Sequence, residues 1–221
     1  MALNSSTTSN KRKKNKNKIV VIGGVAAGTS AASKAKRVDP DCDVTILQDE
    51  SLVSYGACGM PYVIEGIIDN FEKLIERSAN TFKKQYDINV VVNTRAKKID
   101  RIKQEILATN LRNNEQMTLE YDSLVVATGA RPIIPPIKGV DMDGVVFLRN
   151  YGDGEKIKTR IAENVQSIVI VGAGLVGLEM SEAFKKNGID DVTVVEMANH
   201  VLPNILDSDL SASQLIKMIK K

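Results

Sequence analysis

From Lys18 onward, short β-branched runs alternate with glycine turns and with alanine-rich or mixed stretches. Ile19–Ile22 is such a run. GGVAAG follows it, then TSAASKAKRV, and beyond a turn at Asp39-Pro40-Asp41 comes a second apolar segment, DVTILQ. Strand, glycine turn, helix and strand within about thirty residues form the βαβ unit of a parallel sheet. The middle of the chain has a helical pattern over Thr81–Asp87, then short alternating segments: INVVV, AKKIDRI, EILATN and QMTLEYD. Polar turns such as Arg112-Asn113-Asn114 separate these segments, which predicts an antiparallel meander. Ser123–Ala127 reads as one more buried strand, closing on Thr128-Gly129-Ala130. IIPP marks a loop, Gly152-Asp153-Gly154 marks a turn, and a polar helix between Tyr151 and Gln166 links two units. The opening pattern then returns as SIVIV, GAGLVG, LEMSEAFKKNG and VTVVE, so the chain carries two βαβ units about 150 residues apart.

The second unit has the full glycine spacing Gly172-x-Gly174-x-x-Gly177, with a strand before it and a helix after it. The first glycine permits the tight turn, the second lets a pyrophosphate approach the backbone, and the third allows close helix–strand packing. The helix N-terminus then offers amide donors to phosphate. Glu196 ends the next strand, nineteen residues after Gly177, where a carboxylate binds ribose hydroxyls and repels a 2′-phosphate. NADH is therefore favoured, with NADPH the lesser candidate. In the first unit Gly23 and Gly28 hold the outer positions, Gly24, Val25, Ala26 and Ala27 lie between them, and Val25 stands where the middle glycine belongs. Gln48 or Asp49 serves at its ribose end. Read alone, this turn also suits an ordinary tight βα connection. The fold expected is α/β, with two Rossmann-like βαβ units on parallel sheets plus the small antiparallel meander.

Composition changes this picture little. Hydrophobic residues make up 43% and charged residues 26%, an ordinary globular balance. The formal charge of +3 comes from the N-terminus: residues 1–18 hold six Lys and Arg and no acid, and the remaining chain is net acidic. That argues against a nucleic-acid-binding body. Residues 1–17 read as a polar, basic, disordered leader without the apolar run of a signal peptide, and no stretch reaches membrane-spanning length. A cytoplasmic location is expected, with organelle targeting by the basic leader left open. No metal site is expected. Two cysteines do not make a disulfide framework, which points to a reducing compartment.

One of those cysteines, Cys58, lies in SYGACGMPYV between glycines and ahead of Pro61. Pro61 is tolerated in the first turn of a helix, so Gly59-Met60-Pro61 suits a helix start. A thiol at such a place is shifted toward thiolate. Cys42, after Pro40-Asp41 at a strand entrance, reads as structural.

Four segments in this order, IVVIGGVAAG, SYGACGMPYV, YDSLVVATGARP and IVIVGAGLVGLE, resemble the pyridine nucleotide–disulfide oxidoreductase family. Within it they look most like the single-cysteine branch, the coenzyme A-disulfide reductases and NADH-dependent persulfide reductases. The resemblance implies FAD on the first unit and the nicotinamide cofactor on the second, dividing the chain into 18–150 and an incomplete 151–221. It places Cys58 against the flavin as the redox-active residue. No second cysteine lies four or five residues away, so Cys58 acts alone, through a mixed disulfide, persulfide or sulfenic acid. Thr128 and Gly129 match the segment that approaches FAD, and Glu179 matches an acid near the nicotinamide. Ser30, Lys34, Arg37 and Ser54 match positions that hold coenzyme A, although Lys34 and Arg37 suit a solvated helix face equally well. Peroxidases and water-forming oxidases of the family carry a histidine in the first glycine turn. Here Ala26 stands there, and the only histidine is His200.

Full-length relatives implied by the resemblance are homodimers roughly twice this length, with a C-terminal dimerisation domain that is absent from this sequence. The expected activity is electron transfer from NADH through FAD to sulfur held at Cys58, with a small disulfide or persulfide, of coenzyme A type, as substrate and no nucleic-acid or membrane partner. The alternatives are an NADH oxidase of the same fold and a truncated, non-catalytic nucleotide-binding fragment.

Overall fold

The computed structural model describes residues 16–212, so the basic leader up to residue 15 and the chain from residue 213 lie outside the described residues. In chain order the elements are β1 (Lys18–Ile22), α1 (Ala26–Val38), β2 (Asp43–Leu47), α2 (Met60–Glu65), α3 (Ala79–Tyr86), β3 (Ile88–Val91), β4 (Thr94–Asp100), β5 (Glu105–Asn110), β6 (Gln116–Glu120), β7 (Ser123–Val126), α4 (Tyr151–Ala162), β8 (Ser167–Val171), α5 (Leu175–Lys186) and β9 (Asp191–Val195). Single 3₁₀ turns cover Ala57–Gly59 and Phe71–Leu74. By packing, the chain forms two compact units. One unit takes the chain up to Ser54 with Arg77–Thr128, and the other takes Tyr55–Glu76 with the chain from Gly129 onward.

The first unit is a three-layer sandwich. Its sheet runs β3-β2-β1-β7, all parallel, with Ile19 opposite both Val44 and Ser123. Side chains alternate between faces along each strand. Val21, Val44, Ile46 and Ile88 pack on one face with Ala32 of α1 and Phe82 of α3. Val20, Ile22 and Leu47 pack on the other against Ile106 and Ala108 of β5 and Tyr121. The antiparallel β4-β5-β6 meander forms that cover. INVV, expected as the first meander strand, instead joins the parallel sheet beside β2. Alternation alone does not name a strand's partner. Here α3, capped by the Ser78 side chain on the Thr81 N–H, delivers the chain back to the sheet edge. Cys42 is fully buried in this core, and burial pushes its thiol up from the ordinary range.

In the second unit β8 and β9 pair in parallel from Ser167–Asp191 to Val171–Val195, connected by α5. Gly152-Asp153-Gly154, expected as a turn, lies inside the first turn of α4. The reason is a capping box: the Asn150 side chain accepts from the Asp153 N–H, and the Asp153 carboxylate accepts from the Asn150 N–H. Gly154 also passes against the Phe71 ring, where a Cβ would sit 2.6 Å from the ring edge. A cavity of about 1050 Å³ borders β8, walled by α4, α5 and apolar residues of the 132–148 segment such as Ile133, Val146 and Phe147.

Candidate functional site

The two glycine turns are built alike. Gly23 and Gly172 take φ of +105° and +107°, a region open to glycine and costly for other residues. The Gly23 N–H donates to the Leu47 carbonyl and the Gly172 N–H to the Val195 carbonyl, both at 2.8 Å, so each turn is pinned to the end of the second strand. Gly28 and Gly177 press onto their own turns. A Cβ there would lie 1.8 Å from the Gly23 oxygen and 2.1 Å from the Gly172 oxygen. The middle positions differ. Gly174 has an extended backbone (φ −79°) that any residue adopts and open space around it, so what it contributes is the missing side chain, while Val25 (φ −99°) is half-buried. Ala26 and Ala27 begin α1 at the surface, and Thr29 behind them ties its hydroxyl to the Val25 carbonyl.

The residue after the second strand closes each turn. Buried Gln48 accepts from the Gly24 N–H through Oε1 at 2.8 Å, and Glu196 accepts from the Ala173 N–H through Oε2 at 2.7 Å. Gln48, not Asp49, therefore holds the place in the first unit that Glu196 holds in the second. Asp49 points to Arg95, with which it pairs at 3.1 Å. Glu196 takes a second amide, from Ala198 at 2.9 Å. The Ala198 and Ala173 amides hold its carboxyl below the ordinary glutamate range, assisted by His200. Ala173, Ala198 and Leu202, whose N–H donates to the Ala173 carbonyl at 2.9 Å, take part although sequence reasoning passed over them. Their contribution is backbone, which no side-chain pattern signals. Glu179 is exposed on α5.

At the first turn, Ala127 at the end of β7 donates to Ile22 and carries the oxygen that a Gly23 Cβ would strike at 2.1 Å. Thr128 follows, exposed, as the last residue of that unit. Gly129, in the second unit, takes φ +67° with the Arg149 guanidinium close beside it. Ser30, Lys34 and Arg37 lie on one exposed face of α1. Ser54 does not share that face. It is buried at φ +51°, and its N–H donates to the Gly24 carbonyl at 2.8 Å.

Cys58 is exposed in the 3₁₀ turn that leads directly into α2, with Pro61 in that helix's first turn. The turn is held from behind. The Gly56 N–H donates to Leu74 at 2.8 Å, Tyr55 bridges to Ile75, and the Leu74 side chain fills the space a Gly59 Cβ would need. The Tyr55 ring meets Tyr151 edge-on at 5.8 Å, and Tyr151 meets Phe71 at 5.4 Å.

This fold, with two matching glycine turns on parallel βαβ units, defines a Rossmann-type dinucleotide-binding α/β protein. The chain belongs to the pyridine nucleotide-disulphide oxidoreductase family, which it matches over residues 17–221. Members are flavin-dependent NAD(P)H oxidoreductases. It is 39% identical over 191 residues to an NADH oxidase of Methanocaldococcus jannaschii, covering 86% of this chain and 42% of that protein. It is 36% identical over 195 residues to a CoA-dependent NAD(P)H sulfur oxidoreductase of Pyrococcus abyssi, again covering 86% and 42%. Among solved structures, an NAD-dependent persulfide reductase from A. fulgidus superposes with a TM-score of 0.88 at 39% identity, over 92% of this chain and 38% of that one. The chain thus spans about two fifths of the length of these relatives. The turns suit the family's cofactors. Each presents a backbone stripped of side chains at its outer glycines, a helix N-terminus, and a polar side chain from the residue after the second strand. No helix among the described residues is long and apolar enough to cross a membrane.

Proposed function

We propose that this chain is the cofactor-binding and sulfur-handling part of a flavin-dependent NAD(P)H:disulfide reductase acting on a coenzyme A-type disulfide or persulfide. The observation that carries the reading is the repeat of one turn geometry at Gly23–Gly28 and Gly172–Gly177 in a chain that also presents a single exposed cysteine in a fixed turn. FAD belongs on the 18–150 side, held by Gly23–Gly28, Gln48, Thr128 and Gly129, with Asp49 flanking. NADH belongs on the 151–221 side, held by Gly172, Gly174, Gly177, Glu179 and Glu196. The carboxylate of Glu196 favours NADH over NADPH. Bound FAD would supply the two-electron relay between nicotinamide and sulfur.

The chain's own step is thiol chemistry. The Cys58 thiolate attacks one sulfur of the substrate disulfide, forming a mixed disulfide and expelling the other half as a thiolate. Two electrons then cleave the mixed disulfide, restoring the Cys58 thiolate and releasing the second thiol with a proton from solvent. Ser30, Lys34 and Arg37 offer a hydroxyl and two cations on one helix face to the phosphates of coenzyme A, and Ser54 anchors the turn behind them. The naming of relatives as NADH oxidases supports a second reading, in which oxygen is the acceptor.

The visible spectrum before and after anaerobic NADH tests the cofactor sites. A bound-flavin spectrum that bleaches is expected, and a chain that takes up no added FAD overturns their assignment. Cys58→Ser is expected to abolish disulfide reduction at least about a hundredfold while leaving flavin bleaching intact. Loss of both together would remove Cys58 from the chemistry. Oxygen uptake without disulfide, at the rate of the disulfide reaction, would establish the oxidase.

A further inference from the structure

The helix behind Cys58 is too short to hold itself. α2 has six residues, whereas isolated helices of fewer than about 12–15 residues are marginal in water. What keeps it helical must come from its surroundings. Its last carbonyls find no donor within the helix, and Val63 and Ile64 are buried, so leaving those oxygens unpaired would be costly.

Two side chains from elsewhere in the same unit take them. Lys158 of α4 donates from Nζ to the Val63 carbonyl at 3.2 Å, while lying 5.9 Å from the centroid of the Phe71 ring. Asn187, the residue after α5, donates from Nδ2 to the Ile64 carbonyl at 2.7 Å and to the Ala183 carbonyl at 2.8 Å. Lys186 and Glu65 add an ion pair at 3.6 Å, and Gly66 closes the helix in the left-handed conformation, its N–H on Tyr62. The same α5 that starts at the second glycine turn therefore ends by clamping the helix that follows the Cys58 turn.

We propose that Asn187 and Lys158 are positioning residues for Cys58, acting through α2. They take its terminal carbonyls and so fix the turn that presents the thiol. The role rests on the reading of Cys58 as the sulfur-handling residue, but it is measurable apart from turnover.

The test uses the whole chain and its two cysteines. Iodoacetamide labelling of Cys58 and Cys42 is followed site by site by mass spectrometry, beside hydrogen exchange of the α2 amides. A free peptide of residues 54–66 gives the rate of an unheld Cys58. Asn187→Asp removes the amide donor at constant shape. Lys158→Met removes the charge and the donor but keeps an unbranched side chain, and Lys158→Arg restores a donor.

The wild-type rate at Cys58 is expected to differ from that of the peptide. Asn187→Asp and Lys158→Met are expected to move it toward the peptide rate and to speed α2 exchange about tenfold. Lys158→Arg should match wild type, and buried Cys42 should stay unlabelled throughout. The proposal is overturned by a wild-type rate equal to the peptide's, or by unchanged labelling and exchange in both variants. It is also overturned if Lys158→Arg behaves like Lys158→Met, or if Cys42 becomes reactive together with Cys58, since the contacts would then serve general stability alone. Retention of disulfide reduction by Cys58→Ser would instead sink the functional reading and leave the labelling result standing.

Discussion

At the scale of single residues, Gln48 and Glu196 do one structural job with different chemistry. Both close a glycine turn by accepting the amide of its second residue, but only one is ionised. The Glu196 carboxyl is held below the ordinary glutamate range by the Ala198 and Ala173 amides. A lowered folded value means that its contribution is complete above the ordinary glutamate range and is lost as pH falls through the folded value. Glu196→Gln should therefore melt below wild type at neutral pH, and the gap should close as the pH is lowered into the acid range. Melting curves of the two proteins from neutral pH to about pH 3 check this, and a gap independent of pH would show that the charge contributes nothing. Sequence spacing located Glu196 but left Gln48 and Asp49 undecided. Adjacent residues on a strand end point to opposite sides, and it took Arg95, from a strand distant in sequence, to show which way Asp49 faces.

At the scale of elements, local patterns carried the glycine turns, the helices and most strands, because each is specified by its own residues. Partners were less legible. INVV has the alternation of a meander strand, yet it pairs with β2, because α3 returns the chain to the parallel sheet. That return depends on Phe82, fully buried between α3 and the sheet with Val44, Ile46 and Ile88 around it. Phe82→Ala should cost about 3–5 kcal/mol, enough to threaten a domain of ordinary stability. Urea unfolding is the measurement, and a loss below about 1 kcal/mol would mean that α3 is not part of the cooperative core. The clamp on α2 lay wholly beyond sequence reading. Asn187 and Lys158 look like surface residues of their own helices, and their partners are backbone oxygens more than ninety residues away.

At the scale of the whole molecule, the internal repeat also shows where the two units part. Val20, Ile22 and Leu47 of the first sheet occupy the places of Val169, Val171 and Val195 in the second. The first three are 3%, 8% and 1% exposed beneath the antiparallel meander, whereas their counterparts are 65%, 68% and 50% exposed. The opposite face of the second sheet is half-buried: Ile170 lies within reach of the Gly177 position on α5. The apolar alternation of β8 and β9 thus writes a two-sided buried strand pair, of which one side meets solvent. An apolar face of this kind, beside a cavity of about 1050 Å³ on the same strand, favours dye binding and self-association. The chain should enhance the fluorescence of an apolar dye while its near-ultraviolet dichroism stays that of a packed protein, which separates this behaviour from a molten state. Val169→Lys with Val171→Lys should reduce both the dye signal and the concentration dependence of light scattering, at little cost in melting temperature, because neither side chain is packed. An unchanged dye signal in that variant would place the apolar surface elsewhere. A steep fall in melting temperature would mean that this face is covered in solution, as the corresponding face of the first unit is.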